Sequence, residues 1–203
     1  MAGKREEKRE GLKAALIGAA QARIREHGLA GLRARDVTAD AGVALGSLYN
    51  AFQDLDELVL HVNSITLGEL GAALADAAAS AAGPEERLRA LARGYLHFAL
   101  ENRALWAALF EHRMPEGRVV PDWHLAEHAV LFRHIVEPLA MLEPDLSEEQ
   151  LVLRARTAFA AVHGIVAISI EERFIGLPKD QLEAELDRFT ALLAAGVKAG
   201  RGG

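Results

Sequence analysis

The chain has 203 residues, 51% of them apolar, with no cysteine and a formal net charge of -6. That length and apolar content suit one medium domain, or a small one plus a larger one, with a core that needs no staples. The lack of cysteine excludes a disulfide framework and thiolate metal sites.

The opening MAGKREEKRE has no apolar leader segment. No unbroken apolar run reaches the ~18 residues that span a bilayer; the longest, 158–170, is interrupted by His163. A cytoplasmic protein without a membrane span is expected. The charge is uneven. Residues 1–52 hold nine Lys or Arg against six acids, whereas residues 53–203 hold 14 against 23. That asymmetry hints at a nucleic-acid end and an acidic remainder.

In chain order, Leu12, Leu16, Ala20 and Ile24 recur at helical spacing up to Gly28, a C-terminal glycine signal. Short helices follow at about 35–41 and 45–51. Asp54 caps a long helix over about 55–80, with Asp56 and Glu57 suited to the helix dipole. Pro84 restarts the chain for a helix to about Glu101. A shorter helix covers 103–113. Another runs over about 122–142, which Pro138 should kink or shorten. Ser147 opens a helix to about Phe174, and a last helix begins near Lys179. The expected fold class is all-α, with about nine helices.

Residues 33–58, RARDVTADAGVALGSLYNAFQDLDEL, place two short helices around Gly42. Val37, Ala41, Val43, Leu48 and Phe52 make one compact apolar set. Glycine-linked short helices occur in ordinary helical bundles, but the spacing fits a helix-turn-helix. There the second helix enters the major groove and the first crosses the backbone. Leu45, Gly46, Ser47, Tyr49 and Asn50 would then face the duplex. Arg33, Arg35 and the basic arm, including Lys4 and Arg5, would reach phosphates.

The string Gly42-Val43-x-x-Gly46-Ser47-Leu48-Tyr49-x-x-Phe52-x-x-x-Asp56-x-Leu58, with Arg35-Asp36-Val37 before it, resembles the DNA-binding domain of TetR-family transcriptional repressors. The resemblance covers about residues 1–60. It implies a homodimeric all-helical repressor, with a DNA-binding domain at 1–54 and a ligand-binding and dimerisation domain at 55–203. A second stretch, Ala158-Phe159-Ala160-Ala161-Val162-His163-Gly164-Ile165-Val166, looks like the subgroup with a Trp/Phe…His-Gly signature. Three positions depart from the family pattern. Ala44 stands where Ser or Thr is usual, Ala51 where an aromatic or His is usual, and Leu55 where Lys is usual. Each departure removes a backbone contact that the basic arm would have to replace.

In the acidic remainder, Tyr95, Phe98, Trp106, Phe110, Trp123, Phe132 and Phe159 are candidates for an apolar ligand pocket, with His97, His134 and His163 as polar groups. His163 is the leading one, since it lies on a wholly apolar helical stretch. Ordinary core packing is the competing reading for each aromatic. Leu182, Leu186, Phe189 and Leu193 form a stripe suited to a dimer interface. His124-Leu125-Ala126-Glu127-His128 has the H-x-x-E-H pattern of inverted zinc proteases, so His124 and His128 are metal candidates, lacking an evident third ligand.

The expected function is a DNA-binding repressor, not an enzyme, with no cofactor. Its partners would be a double-stranded palindromic operator, a small and largely apolar effector, and a second copy. The helix 55–80 is the expected route of transmission. The alternatives are a metal-dependent hydrolase using His124, Glu127 and His128, and a helical ligand-binding protein with weak DNA affinity.

Overall fold

A computed structural model describes residues 2–171 and 175–199, without the side chains of Ala2, Lys4, Arg5, Lys198 and Ala199. Among the described residues there are nine α-helices and no strand. They are α1 (Ala2–His27), α2 (Ala34–Asp40), α3 (Leu45–Ala51), α4 (Leu55–Ala78), α5 (Pro84–Glu101), α6 (Arg103–Glu111), α7 (Asp122–Leu142), α8 (Glu148–Ile170) and α9 (Lys179–Ala199), with a 3-10 turn at Leu29–Gly31.

Most boundaries follow from local signals. Gly28 takes φ +69°, and its N–H donates to Ile24 O, which ends α1 as a left-handed glycine cap should. Asp54 Oδ1 accepts the Glu57 N–H at 2.9 Å and starts α4, while Glu57 Oε2 accepts the Gln53 N–H at 2.6 Å. Ser147 and Gln150 form a complete capping box at the start of α8.

The basic arm forms the first turns of α1, where Arg9 pairs with Glu6 one turn away. Helix α7 runs from Asp122 to Leu142, the expected bounds, so Pro138 inside it does not shorten it. The expected end of α8 at Phe174 lies outside the described residues; the described helix ends at Ile170.

The chain divides into two compact units, and α4 contributes to both. The first takes the residues up to Gly68 together with Asn102–Leu125; the second takes Glu69–Glu101 and the chain from Ala126 on. The first unit therefore extends past the expected functional boundary at 54 and recruits α6. Its core gathers Leu16, Ala20 and Ile24 of α1, Val37, Leu48, Phe52, Leu58, Val62, and Leu105 and Ala108 of α6. The period-four stripe on α1 is the side that meets α2, α3 and α6.

In the second unit α5 packs against α9 and α8, and Leu88, Leu139, Leu142, Leu151, Ala155 and Ala194 form a core cluster. Gly94 allows close approach there: a Cβ at this position would lie 2.7 Å from Ala77 Cβ on α4. Asp187 of α9 accepts from Arg89 and Arg93 of α5, and Glu86 accepts from the same two arginines. The Arg89 hydrogen bond, with help from Arg93, holds the Asp187 carboxyl below its ordinary range. Two helices, α4 and α8, are long and apolar enough to cross a membrane by length and composition, though neither carries an unbroken apolar run of that length.

Candidate nucleic-acid interface and ligand site

Gly42 makes the turn between α2 and α3 with φ +68°, a conformation open to glycine without strain. The Val43 N–H donates to Thr38 O at 2.9 Å, folding the chain back on α2. This geometry points Leu48 inward with no exposed surface, and Phe52 is nearly as buried. The opposite side of α3 is open: Leu45 is 38% and Tyr49 54% exposed, and Gly46 and Asn50 are also exposed. Ser47 is half-buried. One seven-residue helix thus anchors one face and presents the other.

The three departures from the family pattern have visible physical counterparts. Ala44 is the N-cap of α3 and offers no side-chain cap. Ala51 and Leu55 are partly buried and pack against the core of the first unit, so both are spent on packing.

Several basic side chains around the helix-turn-helix are already engaged. Arg23 forms a two-point ion pair with Asp40, at 2.5 and 3.0 Å, tying α1 to α2. Arg33 donates to the carbonyls of Ala30 and Leu32. Lys13 sits 5.9 Å over the Phe52 ring. Arg118 reaches back to Asp54 at 2.9 Å and to Gln53. Lys8, Arg25 and Arg35 are exposed and form no ion pair among the described residues. The side chains of Lys4 and Arg5 lie outside the described residues.

The seven aromatic candidates and His163 fall into two sets, one per unit. In the first unit Trp106 packs edge-on to Phe110 at 5.4 Å, and Trp123 stacks on His61 at 4.9 Å. His61, which also contacts Phe52, was not signalled by the sequence; it sits in an apolar helix, and its stacking partner is 62 residues away. His112, almost wholly buried, bonds Asp56 at 3.0 Å and ties the end of α6 to the start of α4.

In the second unit the Tyr95 hydroxyl and His163 Nδ1 are 2.8 Å apart. Phe159 stacks on the His163 ring at 5.6 Å and meets Tyr95 and Phe132 edge-on. Phe98 is buried on the same helix as Tyr95. Burial lowers the His163 pKa, opposed by the charge of Glu171, so the ring is mostly neutral at pH 7. His97 does not join this set: it is exposed and pairs with Glu183 at 3.2 Å.

The expected dimer stripe is divided. Leu182 and Leu186 are buried in the chain's own second unit, where α9 meets α5 and α8, so they cannot serve as a free interface. Phe189 and Leu193 remain half-buried, while Leu192, 67% exposed, and Leu153 on α8 carry the outward apolar surface. A cleft of about 530 Å³ beside them is lined by Glu143, Arg154, Leu192, Leu193 and Val197 among others. Among the described residues no three His, Asp or Glu side chains gather to hold a metal ion. His124 is buried and packs against Trp123.

A family model described as the tetracyclin repressor-like C-terminal domain matches residues 88–193, just over half of the chain. A search of curated proteins found no match. Among solved structures, a protein of unknown function from Rhodococcus sp. RHA1 superposes with TM-score 0.71 at 24% identity, covering 89% of this chain and 94% of its own. RolR in complex with resorcinol superposes with TM-score 0.66 at 21% identity, covering 96% and 94%. A TetR family transcription regulator from Marinobacter aquaeolei VT8 gives TM-score 0.64 at 15% identity, covering 93% and 97%.

Proposed function

The chain belongs to the TetR family of DNA-binding transcriptional regulators, and from that premise we propose that it is a homodimeric repressor released from a palindromic operator by a small, largely apolar effector. The observation that carries the reading is α3, whose one face is sealed by Leu48 and Phe52 while Leu45, Gly46, Tyr49 and Asn50 stand open. Two such helices on a two-fold dimer would meet successive major grooves of a palindromic site.

Support for the dimer comes from α8, of whose most apolar stretch only 22% is buried within the chain. An apolar helix left that open needs a cover, and the surface of Leu153, Phe189, Leu192 and Leu193 is where a second copy would supply it. Support for the effector comes from Tyr95, Phe132, Phe159 and His163, an aromatic set with one polar pair. Such chemistry favours a small ring compound with a hydroxyl, as RolR, a protein of similar fold, binds resorcinol. The effector would release DNA only by binding better to the conformation in which the reading heads are wrongly spaced. Helix α4, shared by both units, is the proposed route. The Phe159, His163 and Gly164 positions support assignment to the Phe…His-Gly subgroup.

A mobility-shift titration of the full chain on the DNA upstream of its own gene tests the reading. Shift of a specific duplex, with affinity falling steeply with salt, is expected. Absence of any shift would favour a ligand-binding protein that no longer grips DNA. Removing residues 1–9, with Lys4, Arg5, Lys8 and Arg9, is expected to weaken binding at every operator and flatten the salt slope.

A further inference from the structure

We propose that the operator half-site presents A·T pairs to α3, with a thymine methyl packed on Leu45 and an adenine edge read by Asn50. The inference rests on the DNA-binding reading and specifies the sequence class that reading requires.

The exposed side of α3 consists of Leu45, Gly46, Tyr49 and Asn50 and carries no charge. In the major groove guanine is most often read by Arg or Lys, and cytosine by an acid. Helix α3 has neither. The basic side chains nearest in sequence do not make up the loss. Arg33 is held by two carbonyls, Arg23 by Asp40, and Lys13 sits over Phe52. Arg35 is exposed on α2, the helix that crosses the backbone in this motif and so meets phosphate.

What α3 does offer matches the A·T pair. Thymine's methyl is the one apolar feature in the major groove, and Leu45 is the apolar side chain at the first position of α3. The Asn50 amide carries both a donor and an acceptor, makes no hydrogen bond among the described residues, and has the geometry for adenine N6 and N7.

Gly46 adds an independent observation. A Cβ built there meets nothing within 4 Å, and its φ is not in the left-handed region. The fold therefore has no need of glycine at 46, and its lack of bulk serves whatever approaches α3 from outside. Leu45 and Asn50 are separated by about 7.5 Å along the helix axis. Both therefore fall within one half-site, and the two A·T pairs should lie within a few steps of each other.

The test selects duplexes from a fully randomised library with the full chain. Enriched half-sites should carry A·T at two positions within a few steps of each other. Enrichment of half-sites with G·C at both positions would overturn the proposal while leaving DNA binding intact. Failure to enrich any sequence would overturn the DNA reading, and the proposal with it.

Replacing single thymines by uracil in the enriched site then removes one methyl at a time. One position should cost the wild type about fourfold, the factor that burying one methyl-sized group is worth. Leu45→Ala should be indifferent to the same replacement. Asn50→Ala should lose about 5- to 150-fold at the selected site and much less on other sequences. Wild-type indifference to every uracil, or an unchanged site preference in Asn50→Ala, would sink it. Both side chains are exposed, so unchanged helicity in both variants separates readout from folding.

Discussion

Helices α3 and α8 stand at opposite extremes of how this chain holds a helix. Helix α3 has seven residues, no side-chain cap at either end, and no charge to complement its dipole. Helix α8 has 23 residues, a complete capping box and two acids in its first turn. An isolated helix as short as α3 is marginal in water, so it exists only because Leu48 and Phe52 are sealed into the core of the first unit. Helix α8 is well specified locally yet leaves much of its apolar surface open. The contrast fits the proposed division of labour: one helix is held from behind so that its front can read DNA, the other is self-supporting and awaits a partner.

The most damaging way to break the contrast is to remove the support behind α3. Leu48→Ala leaves a cavity at a fully buried position and is expected to cost about 2–5 kcal/mol. Chemical denaturation should show the loss, and DNA shift should vanish well before the protein as a whole unfolds. In the second unit the sensitive point is close approach rather than a buried anchor. Gly94→Ala pushes a methyl to 2.7 Å from Ala77 Cβ. Overpacking of this kind costs about 1–3 kcal/mol, offset in part by the better helix propensity of alanine, about 1 kcal/mol. A lowered unfolding midpoint is expected; a raised one would show that α4 and α5 separate freely.

The charge network of the second unit gives a pH-dependent effect of smaller size, because Asp187 keeps contact with solvent. Its folded-state pKa is depressed, mainly by the Arg89 hydrogen bond. The stabilisation is therefore full above the ordinary carboxylate value, about pH 4, and is lost as pH falls through the lowered folded value. Asp187→Asn should be less stable than the wild type at pH 7, with the two stability curves converging below pH 4. Parallel curves over that range would show that the pairing with Arg89 and Arg93 does not carry the effect.

The contrast also explains what was legible in the sequence. Where an element is announced by local chemistry, the expected bounds match: Asp54 and Ser147 mark helix starts, Gly28 and Gly42 mark reversals. The first turns of α1 have no apolar stripe, so periodicity could not find them, although Lys, Arg and Glu are good helix formers. The stripe Leu182, Leu186, Phe189 and Leu193 was visible, but period alone does not distinguish a side facing the chain's own core from one facing another copy. Leu182 and Leu186 went to the former. The aromatics were equally visible as a class. Their assignment to two sets depends on long-range partners: Tyr95 with His163, and His61 with Trp123.

The smallest effect sharpens the contrast most. The backbone at Ala44 already has the extended geometry of an N-cap, with φ -71° and ψ 150°, and its carbonyl accepts the Ser47 N–H at 2.8 Å. Only the side-chain oxygen is missing. Ala44→Ser would let that oxygen accept a hydrogen bond from an early N–H of α3, worth about 0.5–2 kcal/mol at an N-cap. The reverse change at the other extreme, Ser147→Ala, should cost α8 a similar amount. If α3 depends on tertiary support because it lacks a cap, Ala44→Ser should raise the unfolding midpoint and soften the penalty of Leu48→Ala in the double variant. Strict additivity of the two changes would mean that the cap and the core act on α3 independently.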